Sequence, residues 1–202
     1  MSMLILALKR RGIMMFKEDE YLVLEDNVRH SYMSVVWSHK IQEKQADILT
    51  NYYKRLETVR VICAVIISGS LISLIFKDQF KVKLITTFIS FISAVISMLF
   101  KSFDIQKSIT NHKNTANELL AIRNQFQLLL VGIKMKNKDK SELMKIYNNL
   151  IVQLDDIYRT APNTTDKAVK RAENALKVKK DNEFLDEEID LNLPKSLRRG
   201  EA

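Results

Sequence analysis

The chain has 202 residues, 32 Lys and Arg against 24 Asp and Glu for a formal charge of +8, one Cys, three His, four Gly and two Pro. One Cys cannot close an internal disulfide, three His and a Cys leave little for a zinc site, and so few turn-formers give a β-sandwich or barrel almost nothing to build hairpins from. At 47% hydrophobic residues the chain can support a core, and helices are the default for a sequence so poor in Gly and Pro.

Residues 1–24 form an N-terminal segment. Its apolar start, Met3 to Leu8, is too short for a cleavable signal, and its basic residues follow rather than precede it; Met14 or Met15 is an alternative start. From Val28 the residues Tyr32, Val35, His39, Gln42, Ala46, Leu49, Tyr53 and Leu56 recur at steps of four and three, the rhythm of an amphipathic helix over about 26–60. A weaker second stripe passes through Trp37, Ile41, Ile48 and Tyr52.

Val61–Phe76 and Leu84–Phe100 are runs of 16 and 17 residues without a charge, each with ten Leu, Ile, Val or Phe, separated by seven residues of which three are Lys. A helix of that length spans about 26 Å against a hydrocarbon core of about 30 Å. Arg60, Lys77, Lys83 and Lys101 bound the runs, and their long stems can reach outward to close the gap as interface anchors. Partitioning of the large apolar residues favours insertion by about 3–6 kcal/mol per helix. Two helices apolar all round are hard to bury in so small a protein, and the runs are read as a transmembrane hairpin. Seven Lys and Arg near its outer ends (Lys44, Lys54, Arg55, Arg60, Lys101, Lys107, Lys113) against three in the loop (Lys77, Lys81, Lys83) put both termini in the cytoplasm.

The helical rhythm resumes at Ile105, Ile109, His112, Ala116, Leu119, Arg123, Phe126 and Leu130, with Gly132 expected to end a helix of about 101–131. Ser141 is the expected N-cap of a helix over 141–160, apolar at Leu143, Ile146, Leu150, Leu154 and Ile157 and stopped by Pro162. Asp166 is the expected cap of a last helix, 166–180. Residues 181–202 read as a mobile tail. The fold class is therefore all-α: a two-transmembrane hairpin extended into a cytoplasmic helical bundle.

No P-loop, dinucleotide fingerprint, zinc-protease, serine-hydrolase or C-x-x-C motif occurs; no catalytic residue, cofactor or metal is expected. The residues to weigh lie elsewhere. Thr86, Ser90, Ser93 and Ser97 put hydroxyls along one face of the second span, and Ser68, Gly69 and Ser73 are small residues on the first. Such residues let helices approach and hydrogen-bond across the contact; turned inward in an assembly, they would line a weakly selective pore. His39, His112 and Arg123 sit on apolar stripes, as packing residues or as a gate, since histidine titrates near neutrality. Straight antiparallel helices put the two histidines about 15 Å apart along the axis, which opposes a metal pair. Basic clusters at 134–140 and 167–180 suit a solvated face or an anionic leaflet; with few aromatics for stacking, nucleic acid is not an expected partner.

Trp37-Ser-His39 ahead of the paired short spans, and the run LIVQLDDIYRTAPNTTDKAVKRAE from Leu150 to Glu173, with Ile157-Tyr158, Ala161-Pro162 and Ala168 as its anchors, resemble the SLATT family of bacterial two-transmembrane effector domains. The resemblance covers about residues 25–180. It implies a non-enzymatic effector of an antiviral conflict system at the inner membrane. Such an effector would homo-oligomerise in the lipid bilayer on a signal from a sensor enzyme (a nucleotide synthase or a reverse transcriptase), or on its nucleotide product, and permeabilise the membrane in an abortive infection. Two alternatives stand beside it: a non-pore membrane scaffold that docks a cytoplasmic partner through the 143–157 stripe, and a soluble helical module that binds protein or nucleic acid with residues 61–100 as its core.

Overall fold

In the computed structural model, residues 21–73, 79–181, 183–194 and 198 are described in full, and 2–20 and 74–76 by backbone alone. Among them there are six α-helices and no strand: α1 (Ser2–Phe76), α2 (Phe80–Phe103), α3 (Ile105–Met135), α4 (Lys140–Thr160), α5 (Asp166–Glu173), which runs on as a π turn (Asn174–Val178), and α6 (Asp186–Asn192).

α1 passes from the amphipathic flank into the first apolar run without interruption, since nothing between residues 13 and 68 is a Gly or Pro that would release the backbone. Its fully described 53-residue stretch, Tyr21–Ser73, is about 80 Å long at 1.5 Å per residue. α2 returns beside it. At Asp104 the chain takes one left-handed step (φ 39°, ψ 53°), and the Asp104 carboxylate accepts the Lys107 amide at 3.3 Å, so the same residue that ends α2 caps α3. α3 then runs antiparallel to the first half of α1, and both flanks of the hairpin lie on the same side of it.

α4 folds back on α3. Leu24, Val28 and Val35 from α1, Leu119, Ile122, Phe126, Leu129 and Ile133 from α3, and Leu143, Leu150 and Leu154 from α4 make one core. Each large side chain buried there contributes about 1.5–3 kcal/mol. Two tyrosines fix α4 against α1: the Tyr147 hydroxyl lies 3.1 Å from Ser31 Oγ, and the Tyr158 hydroxyl 3.0 Å from Ser38 Oγ. α5 lies on another face of α1 through Ala168, Ala172 and Ala175, all buried; alanine lets the two backbones approach closely.

Several element ends differ from the sequence reading. Gly132 does not end α3, which continues to Met135; Lys136 adopts the left-handed C-cap (φ 48°) and its amide bonds to Ile133 O. A Cβ at Gly132 would lie 3.6 Å from both Leu143 Cδ2 and Asn137 Oδ1, ordinary contact distances, so the position faces α4 without requiring a glycine. Asp139, not Ser141, caps α4: its carboxylate accepts the Ser141 amide and hydroxyl. Thr165, not Asp166, caps α5, accepting the Ala168 amide. Inside the segment read as a tail, residues 186–192 form α6, none of whose residues is buried.

Candidate functional site

The hairpin comes first. Only 6% of the most apolar 18-residue window of α1 and 11% of that of α2 is buried. The described residues of 61–100 are therefore not packed as a core here; they belong to two helices that touch each other along one edge. That edge is made by the half-buried or buried Arg60, Cys63, Ile67 and Ser70 of α1 and by Thr86, Ser90, Ser93 and Ile96 of α2.

The expected hydroxyl face thus splits. Thr86, Ser90 and Ser93 turn toward α1, while Ser97 is exposed. Within the described residues the hydroxyls do not bond across the hairpin. Ser68, Ser90 and Ser97 donate to their own helix at Ala64 O (2.9 Å), Thr86 O (2.8 Å) and Ser93 O (3.0 Å). A carbonyl four residues back is the nearest acceptor a short hydroxyl finds in an apolar setting. Thr86 Oγ1 is buried without a partner. Ser68, Gly69 and Ser73 lie on the outer side of α1, and nothing stands within 4 Å of a Cβ built at Gly69, so its small size is not used inside the chain.

Of the four anchors, Lys83 and Lys101 are exposed, and Lys77 lies outside the described residues. Arg60 is held: its guanidinium bonds to Glu57 Oε1 at 2.6 Å and sits 5.5 Å above the Phe100 ring, which packs 5.0 Å from Tyr53. Gln106 Nε2 donates to the Tyr53 hydroxyl at 2.7 Å. This cluster closes the foot of the hairpin where α1, α2 and α3 meet.

Below it runs a buried polar seam along α1. Gln42 is its pivot. Its Nε2 donates to Pro162 O at 3.1 Å, which leaves Oε1 to accept from His112 Nδ1 at 2.5 Å and fixes the protonated nitrogen of that ring. One turn on, Gln45 Oε1 accepts both the amide (3.1 Å) and the hydroxyl (2.7 Å) of Thr165. Two glutamines at i and i+3 thus hold both ends of the 162–165 turn between α4 and α5. Lys40, only 5% exposed, donates to Glu43 at 3.0 Å and reaches Asp181 at 3.8 Å, and Lys177 lies 5.6 Å from the Trp37 ring centroid. Burial alone would raise the Glu43 carboxyl, but hydrogen bonds from Lys40 and Lys44 outweigh it and hold it below the ordinary value.

His112 and His39 do not meet. His112 is tied to Gln42, whereas His39 lies close enough to Arg123 to feel its charge; His39 Nδ1 and Arg123 Nε are buried without partners. Burial lowers both histidines below their usual value, and for His39 the Arg123, Lys40 and Lys44 charges add to this while Glu43 opposes it. Among the described residues no cluster of three potential metal ligands occurs. The 143–157 stripe is spent inside the molecule, with Leu143, Leu150 and Leu154 in the core.

The sequence reading took Gln42 as one member of an apolar stripe and passed over Lys40 and Gln45. A glutamine placed among Val, Ala and Leu at helical spacing was the available signal, because a buried amide requires partners.

Among known proteins, no curated sequence and no solved structure matches the chain. A family model does. The SMODS and SLOG-associating 2TM effector domain family 4, not a known catalytic family, matches residues 24–188, from the start of the core on α1 into α6, and the chain belongs to that family of two-transmembrane effectors.

Proposed function

We propose that the chain is a membrane effector of a bacterial conflict system that sits in the inner membrane with both termini in the cytoplasm, assembles with copies of itself on a signal from a partner sensor enzyme, and permeabilises the bilayer. One observation carries this reading: α1 above its packed stalk half and α2 beside it are left bare, with 6% and 11% of their apolar windows buried. Such surface is stable only against lipid or against other copies of the hairpin. The family's association with SMODS and SLOG proteins supports a sensor enzyme, a nucleotide synthase for example, as the source of the signal. The excess of cations on the stalk side supports the orientation. Spans without a charge suit a path with little selectivity and argue against an ion-coupled transporter.

The test is inducible expression, with and without the partner enzyme, in cells loaded with a potential-sensitive dye and a membrane-impermeant nucleic-acid stain. Depolarisation ahead of lysis is expected. Cells that die with their membrane potential intact would overturn the reading. Ser93→Asp, on the hairpin edge, is expected to change the rate of depolarisation.

A further inference from the structure

α1 and α5 leave a groove between them of about 250 Å³. Its floor is apolar, from Ile48, Leu49 and Tyr52, the last 51% exposed, and its rim is cationic, from Arg55 of α1 on one side and Lys167 and Arg171 of α5 on the other. Among the described residues none of the three cations has an ion pair. The carboxylates nearby are drawn elsewhere. An adjoining groove of about 350 Å³ shares Asn51 and Arg171 with this one and holds Asp47 and Asp181. Asp47, however, lies 3.6 Å from Lys44, and Asp181 lies 3.8 Å from Lys40. α6 is acidic and only a short linker away, but its Asp186 and Asp190 already have interactions of their own. Cations from two helices thus converge on one groove without a counter-charge among these residues.

We infer that this groove is a phosphate site: a phosphate ester sets its oxygens on Arg55, Lys167 and Arg171 and lays the group it carries on Ile48, Leu49 and Tyr52. A guanidinium fork can bind two phosphate oxygens at once, and the lysine adds a compact charge. The apolar floor keeps water off one side, which strengthens each charge-assisted bond. Because the cations come from both helices, a bound phosphate clamps α5, and with it the 162–165 turn, onto the part of α1 that leads into the hairpin. Height along α1 says which phosphates can arrive. Arg55 is five residues below Arg60, about 8 Å. The headgroup layer is about 5–7 Å deep on each side of the hydrocarbon. The groove therefore opens just beneath the headgroups, within reach of an anionic lipid of that leaflet and of a soluble phosphate ester such as a nucleotide.

The lipid source rests on the membrane position in the proposed function; the site itself does not rest on permeabilisation. The test places the full-length chain in nanodiscs and reads acylation of Lys167 by mass spectrometry, with the exposed Lys134 of α3 as reference. Discs of phosphatidylcholine alone, titrated with ATP or glycerol 3-phosphate, make the soluble arm. Discs with added phosphatidylglycerol and no soluble phosphate make the lipid arm. A severalfold fall in Lys167 labelling with Lys134 unchanged is expected in one arm or both, and the arm that protects names the source. Arg55→Gln with Arg171→Gln should abolish the protection, and Arg55→Lys with Arg171→Lys should keep part of it, which separates a lost charge from a lost fold. No protection in either arm overturns the inference and leaves the groove to α6 of the same chain. Protection that the glutamine variant retains overturns it too, as the mark of diffuse surface charge. Cells that depolarise although Lys167 is never protected would sink this site and leave the pore reading standing; protection without depolarisation would do the reverse.

Discussion

The two halves of α1 answer the same physical demand in opposite ways. Below Arg60 its apolar stripe is covered by α3, α4 and α5, and several polar groups are caught in the contact: Gln42, Gln45 and Lys40 find partners on another element or one turn away, while His39 Nδ1 and Arg123 Nε stay buried without one. Above Arg60 a single neighbour, α2, covers one edge and leaves the rest bare. The stalk is a packed protein interior with polar groups inside it; the hairpin is a surface that suits a solvent other than water. A helix does not need to change its backbone to pass from one regime to the other; it needs only to change which side chains it presents.

The sharpest way to break this contrast is to make the bare half polar. Val65→Asp with Phe91→Asp, at two exposed positions on α1 and α2, costs about 3 kcal/mol per charge near the bilayer centre, comparable with the whole apolar gain of a short span. The wild-type chain is expected in the pellet after carbonate extraction and the double variant in the supernatant; a variant that stays in the pellet would show that the hairpin is held by something other than lipid.

The stalk should fail differently. Phe126→Ala empties a fully buried site in the core, at a cost of about 3–5 kcal/mol. The chain should remain in the membrane fraction while limited proteolysis cuts α3 and α4. Smaller still is Gln42→Ala, which leaves His112 Nδ1 and Pro162 O without partners for about 1–3 kcal/mol. Hydrogen exchange should then quicken across residues 161–173 and stay unchanged in the core around Phe126.

The mildest lever is pH, and it acts on the stalk alone. Burial holds His39 and His112 below the ordinary value near 6.5. Between that value and the lowered ones the unfolded chain binds protons that the folded chain refuses. The stabilisation is thus complete above about pH 6.5 and is lost as the pH falls through the folded values. The urea midpoint of detergent-solubilised protein should drop from pH 7.5 to pH 5.5, and His112→Asn should flatten the drop.

How much of this the sequence disclosed follows the same divide. The spans were legible because a run of 16 or 17 uncharged residues has few other uses. The stalk helices were legible from their stripes. What escaped was chosen by tertiary contact. Asp139 and Ser141 are both good caps, and only the path of the chain picks the aspartate. Gly132 looks like a terminator, but α3 runs through it to Met135, where the chain turns at Lys136 instead. The αL step at Asp104 leaves no trace in a periodicity that continues across it. The hydroxyls of α2 were legible as a face, but not that the face would split, with Ser97 left on the outside and the donors returned to their own backbone.

The unbroken course of α1 has a mechanical consequence. Its return partner has a swivel at Asp104, whereas α1 has no joint between Tyr21 and Ser73. A rotation of the stalk grip at Trp37, Lys40 and Gln45 would therefore meet no hinge on its way up α1 to the open notch at Gly69, whereas on the return side it would meet the bend at Asp104.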